Sequence, residues 1–159
     1  MATAPSAPVH PEPVEHADLA SLATRLTGEL HFDRTMRTLY ATDASEYQEL
    51  PVAVALPKTE ADIRELIAFS NAHGLGLIPR TAGTSLAGQV VGHGIVVDLG
   101  RYLNRIVATD PTKRRVRVQP GVVRNELNLA LKPHNLFFTP ETSTANRAMI
   151  GGMVGNNSC

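Results

Sequence analysis

Two stretches of this sequence hold residue types that can grip an anionic ligand. The first, PRTAGTSLAGQ at 79–89, combines an arginine, three hydroxyls, two glycines and a glutamine directly after an apolar run. Successive backbone amides in such a turn can converge on phosphate oxygens, with Thr84 and Ser85 as further donors. It is not a Walker A loop, because the chain contains no Gly-Lys pair, and neither GLGLIP nor GHGIVV completes a GxGxxG fingerprint. Taken alone, a loop that uses Gly83 merely to turn explains it equally well. The second stretch, TPETSTANRAMIGGMVGNNSC at 139–159, sets Pro140 and hydroxyls at 142 to 144 close to Gly151-Gly152 and an Asn156-Asn157-Ser158 run. Paired glycines let backbone approach a flat ligand where a Cβ would collide. A glycine-rich connector is the plain alternative for this tail by itself.

The elements that must position these stretches follow from hydrophobic periodicity. From Asp18, the residues Leu19, Leu22, Ala23 and Leu26 keep helical spacing, with Gly28 as the stop. A short polar segment, TDASEYQELP, follows. VAVALP at 52–57 reads as a buried strand closed by Pro57. A helix then opens on Thr59 as N-cap, buries Ile63, Leu66, Ile67 and Phe69, and ends at Gly74. LGLIP at 75–79 completes a β-α-β unit with parallel strands. The loop 80–94 is followed by a strand at 94–100 and by a hairpin from Ile106 through a turn at Asp110-Pro111 to Val118. A helix over 122–132 places Val123, Leu127, Ala130 and Leu131 on one side, and LFFTP is strand or extended. Residues 1–16, rich in proline, read as a disordered lead-in, and 17–159 as one unit.

Bulk properties narrow the function. Fifteen basic residues balance fifteen acidic ones, so no overall field favours nucleic acid or an anionic membrane, and anion recognition must be local. The basic group Lys113, Arg114, Arg115 and Arg117 alternates with valine and lacks interleaved aromatics, which points to a solvated sheet face rather than a nucleic-acid surface. The single cysteine, Cys159, excludes an internal disulfide within this sequence and any multi-cysteine metal site. No histidine pattern suggests a metal; His73 and His134 read as ordinary residues at helix ends. Without a signal-peptide pattern or a long apolar run, the chain reads as cytoplasmic.

Together, PRTAGTSLAGQ, GIVVDLGRYLNRI, VRVQPGVVRNELN and FTPETSTANRAMIGGMVGNNSC closely resemble the FAD-binding domain of FAD-linked oxidases and dehydrogenases of the vanillyl-alcohol oxidase or p-cresol methylhydroxylase (PCMH) type. The branch acting on D-2-hydroxyacids (D-lactate, glycolate, D-2-hydroxyglutarate) is the most similar, especially in its large members with an iron–sulfur region. The resemblance covers residues 40 to 159. It implies an α+β fold of the α/β sandwich kind: a PCMH-type FAD-binding fold with a parallel β-α-β subdomain and a mixed or antiparallel sheet subdomain, here truncated.

Residue by residue, the resemblance sets Arg80, Thr81, Ala82, Gly83, Thr84 and Ser85 in the loop around the FAD pyrophosphate, with Gln89 at its end. It sets Pro140, Thr142 and Ser143 in the turn near the isoalloxazine, and Ile150, Gly151, Gly152, Asn156, Asn157 and Ser158 along the flavin and ribityl chain. Relatives often have Gly-Gly where Thr81-Ala82 stands, which leaves Gly83 as the irreplaceable residue. No histidine lies between 80 and 92, so the FAD is expected to be non-covalent.

The resemblance further implies oxidation of a 2-hydroxyacid to a 2-oxoacid, with electrons leaving to a quinone, an electron-transfer protein or iron–sulfur centres. The catalytic residues, the substrate cap and iron–sulfur cysteines belong to later regions of the relatives, so no catalytic or metal residue is assigned. The chain itself is expected to be inactive and prone to self-association, and its parent to be cytoplasmic, peripheral to the inner membrane at most. Two alternatives remain open on the sequence: a flavin-free module that keeps the fold, and an FAD-domain reductase of another reaction class.

Overall fold

The computed structural model describes residues 14–158. Parallel strands buried on both faces read as continuous apolar runs rather than alternating ones, and two such runs build the centre of the main sheet. They are β2 (Ala53–Leu56) and β4 (Ile95–Asp98), paired in parallel. Strand β3 (Leu77–Arg80) joins the far side of β4, also parallel, and β1 (Glu29–His31) edges β2 antiparallel, giving the order β1-β2-β4-β3. The β-α-β unit is thus present, with β4 inserted between its two strands.

Helices α1 (His16–Arg25) and α3 (Glu60–His73) cover one sheet face. Leu19, Leu22, Leu66 and Phe69 pack there on Ala53, Ala55, Ile95 and Val97. Between β1 and β2 lie the short helix α2 (Arg34–Leu39), which Asp33 caps through Met36 N, and a strap over residues 40–49. The second unit is an antiparallel hairpin, β5 (Ile106–Asp110) and β6 (Arg115–Val118), packed on α4 (Arg124–Leu131) around Val122, Leu127 and Leu131. The fold is therefore mixed α/β, with a parallel-dominated sheet beside an antiparallel pair.

Several expectations need correction. Helix α1 starts at His16 behind a Glu15–Asp18 capping box, inside the stretch assigned to the lead-in; residues 1–13 of that stretch lie outside the described residues. Gly28 does not stop the helix, which ends at Arg25. It lies against the Leu56 carbonyl and Pro57, where a side chain has no room. Ile67 is exposed, as is Ala130, because each turns just off the apolar stripe of its helix. Of the two readings of LFFTP, strand or extended, the strand is not formed. The tail is not a connector: residues Ile150–Gly155 form a short helix, α5. His73 and His134 do close helical segments, each followed by a left-handed residue, Gly74 and Asn135.

One buried carboxylate ties the helical layer together. Asp62, only 2% exposed, accepts hydrogen bonds from the amides of Thr27 (2.8 Å), Lys58 (2.8 Å) and Thr59 (3.0 Å) and from the Thr27 hydroxyl. Burial alone would raise its pKa. The donated hydrogen bonds, led by the Thr27 amide, outweigh burial and hold it below the ordinary carboxylate value. A carboxyl with a depressed folded-state pKa stabilises above its unfolded value and loses that stabilisation as pH falls through the folded one. Asp62→Ala is expected to cost about 3 kcal/mol at pH 7 in urea unfolding. The difference from wild type should narrow below about pH 4; a gap that stays constant to pH 3 would contradict this assignment.

Candidate functional site

Ligands of open α/β sheets gather outside the carboxyl ends of the strands, and a large cavity lies there. It measures about 790 Å³, within the range of small-molecule sites. Pro79 and Arg80 at the end of β3 and Leu99 just past β4 form its floor, and the loop that follows β3 forms one wall. Residues 142–144 and the helix α5 form the opposite wall.

The two stretches singled out in the sequence thus face one another. Their contact is tight at one point, where a Cβ on Gly152 would fall 2.6 Å from the Thr81 hydroxyl oxygen; Gly151 packs instead on Pro120, where a Cβ would fall 2.5 Å from the ring. The helix carrying both glycines is fixed by backbone bonds, Ile150 N to Val122 O (2.9 Å) and Gly151 N to Pro120 O (2.8 Å). Helix propensity alone would not hold a Gly-Gly pair in a helix.

Of the residues assigned to a cofactor, Arg80, Thr81, Ala82, Gly83, Thr84, Ser85, Gln89, Thr142, Ser143, Gly151, Gly152, Asn156 and Ser158 line this cavity. Pro140, Ile150 and Asn157 do not. The Pro140 carbonyl accepts from Arg124 Nε at 3.1 Å, Ile150 packs into the core under α4, and Asn157 makes an exposed left-handed turn. Sequence reasoning missed Leu99, Met149 and Met153, apolar residues that patterning cannot separate from core.

The wall has the chemistry of an anion site. Among the described residues, none accepts a hydrogen bond from the backbone amides of residues 81–86. Among the described residues, Arg80 is the only ionisable side chain in the lining, and no carboxylate joins it. The Thr142 hydroxyl oxygen is buried with no hydrogen-bond partner, a costly arrangement unless a ligand completes it. Gly83 holds φ +65°, which Ala82 avoids, so the turn depends on the residue that lacks a side chain. Ser85 donates to Gln89 Oε1 (2.9 Å) and accepts from Ala87 N (3.1 Å), which makes Gln89 a brace of the loop. A second depression of about 490 Å³ beside α4 offers less, because Asn128 in it is spent on both backbone groups of Phe138.

A parallel-stranded α/β layer with an amide-rich cavity at its carboxyl edge, free of carboxylates among the described residues, has the make-up of a nucleotide-cofactor-binding domain. Residues 51–159 match the family described as "FAD binding domain", and the chain belongs to that family. It is 44% identical over 140 residues to the D-2-hydroxyglutarate dehydrogenase of Pseudomonas putida, which covers 83% of this chain and 14% of that protein. It is 30% identical over 145 residues to the glycolate oxidase subunit GlcD of Bacillus subtilis, covering 89% of this chain and 31% of that subunit. The chain therefore spans only a small part of the length of the relatives it matches.

Solved structures agree on the fold. An alkyldihydroxyacetonephosphate synthase matches with TM-score 0.76 at 16% identity, over 91% of this chain and 32% of that one. A p-cresol methylhydroxylase matches with TM-score 0.68 at 19% identity, over 92% and 30%. The PCMH-type fold expected from the sequence is the fold present. Among the described residues no helix is long and apolar enough to cross a membrane.

The glycine contacts differ in a testable way. Gly151→Ala forces backbone and a proline ring apart and is expected to cost about 1–3 kcal/mol. Gly152→Ala meets one side-chain oxygen, and Thr81 must change its χ1 rotamer to clear it, so it should cost less, about 0–1 kcal/mol. Thermal unfolding followed by circular dichroism decides the order; the reverse ranking would contradict the packing described.

Proposed function

We propose that this chain holds FAD non-covalently, as the cofactor-binding portion of an oxidoreductase that converts a D-2-hydroxyacid (D-lactate, glycolate or D-2-hydroxyglutarate) to the 2-oxoacid. The observation that carries the reading is the pairing of two walls in one cavity: unbonded amides at 81–86 on one side, the unpartnered Thr142 hydroxyl and α5 on the other. In this reading the amides around Gly83 take the pyrophosphate, and Arg80 adds a positive charge beside them. Thr142 finds its missing partner on the cofactor, and the backbone at Gly151 and Gly152 runs against the flavin end. The names of the relatives support the hydroxyacid class.

Bound FAD would accept the α-hydrogen of the substrate as hydride. A base must also take the hydroxyl proton, and it needs a pKa near the working pH. Among the described residues the lining holds no carboxylate or histidine to serve as that base, so the proton acceptor, the substrate-carboxylate partner and the route to an electron acceptor fall to other parts of the enzyme.

The purified chain is expected to take up FAD with a visible flavin spectrum and to show no turnover of D-lactate or D-2-hydroxyglutarate with a dye acceptor. Gly83→Val puts a β-branched residue at φ +65° and drives its Cβ to 2.6 Å from the Arg80 guanidinium, and should abolish uptake. A folded Gly83→Val variant, checked by circular dichroism, that still binds FAD would remove the loop from the site.

A further inference from the structure

We propose that Tyr40 is a positioning residue for the nucleotide-binding loop, acting on it through Arg80; the proposal rests on the function proposed above. Arg80 does not reach out from the end of β3. Its guanidinium donates from Nη1 to the Thr42 carbonyl at 2.7 Å and lies 5.1 Å from the centre of the Tyr40 ring. It tucks under the turn at Gly83, where a Cβ would come within 2.6 Å of Nη2. The Tyr40 hydroxyl in turn donates to Asp98 Oδ2 at 2.7 Å, and Asp98 Oδ1 accepts from Gly100 N at 2.8 Å and Arg101 N at 3.2 Å. A continuous path therefore runs from the carboxyl end of β4 through Asp98, Tyr40 and Arg80 to the turn that carries the free amides.

The strap around Tyr40 holds the same loop at two further points. Ala44 N donates to Gly83 O at 3.2 Å, and the Tyr47 ring fills the space that a Cβ on Gly88 would need. The strap is itself closed by a bridge between Thr42 and Gln48 and by Glu49 N donating to Ala41 O at 3.0 Å. Burial, then the Asp98 carboxylate, pushes the Tyr40 phenol well above its usual pKa, so it remains a donor at all physiological pH. A loop whose amides have no protein acceptor must be held by something outside its own backbone bonds. Fixing it before the ligand arrives removes an ordering cost from binding.

The test is a double-mutant cycle on the full chain with Tyr40→Phe, which keeps the ring and removes the hydroxyl, and Arg80→Ala. The first readout needs no ligand: 15N relaxation order parameters at residues 81–86. Tyr40→Phe should lower them from about 0.85 to about 0.6 while residues 95–97 of β4 stay unchanged. The second is the FAD Kd, which should rise about tenfold. In the Arg80→Ala background, Tyr40→Phe should move neither quantity further. Unchanged loop order in the single variant, the same effect in both backgrounds, or equal loosening of β4 would each overturn the proposal. Failure of the wild-type chain to bind FAD would instead strike the proposed function, and the relaxation cycle would still decide the role of Tyr40.

Discussion

The whole arrangement depends on backbone meeting backbone where the hairpin unit joins the sheet. A Cβ on Gly121 would sit 2.7 Å from the Gly100 carbonyl oxygen and 2.8 Å from its Cα, so the chain leaving β4 and the chain leaving β6 touch without side chains between them. Gly121 N donates to Leu103 O at 2.7 Å and fixes that contact in register. Residues 120 and 122 then supply the carbonyls that receive Gly151 N and Ile150 N. Any side chain at Gly121 would push the hairpin, and with it α5, away from the loop after β3. The cavity exists because two units that share little apolar core are joined at this seam.

What the seam encloses is polar in an uneven way. The β3 side offers loop amides, hydroxyls and the Arg80 guanidinium, the α5 side mixes methionine and glycine with Thr142, Ser143, Asn156 and Ser158, and among the described residues no carboxylate intrudes. The Thr142 hydroxyl, buried without a partner among the described residues, is a cost that folded domains rarely carry.

The sequence made the sheet and its helical cover readable where a single period dominated. The apolar runs of β2 and β4 and the Thr59-to-Gly74 helix, with cap signals at both ends, stand nearly where periodicity set them. Short elements were invisible: β1 has three residues, and α2, RTMRTL, buries none. Helix α5 was hidden for another reason. IGGMVG has poor helix formers, and its conformation comes from carbonyls about thirty residues earlier in the chain. The candidate site was legible as two motifs, because amide-presenting loops need glycine and hydroxyl residues in a recognisable order. Their supports were not. Most of the strap falls in what reads as a short polar segment, TDASEYQELP, and nothing local to Tyr40 reveals that it meets Asp98, 58 positions away.

The central claim is that the two glycine-rich segments form one FAD site. Amide chemical-shift mapping during an FAD titration addresses it most directly. The account predicts that residues 81–86 shift together with 142–144 and 151–158, all saturating at one concentration, while 125–137 beside α4 stay still. Shifts confined to one segment, or largest around α4, would contradict it.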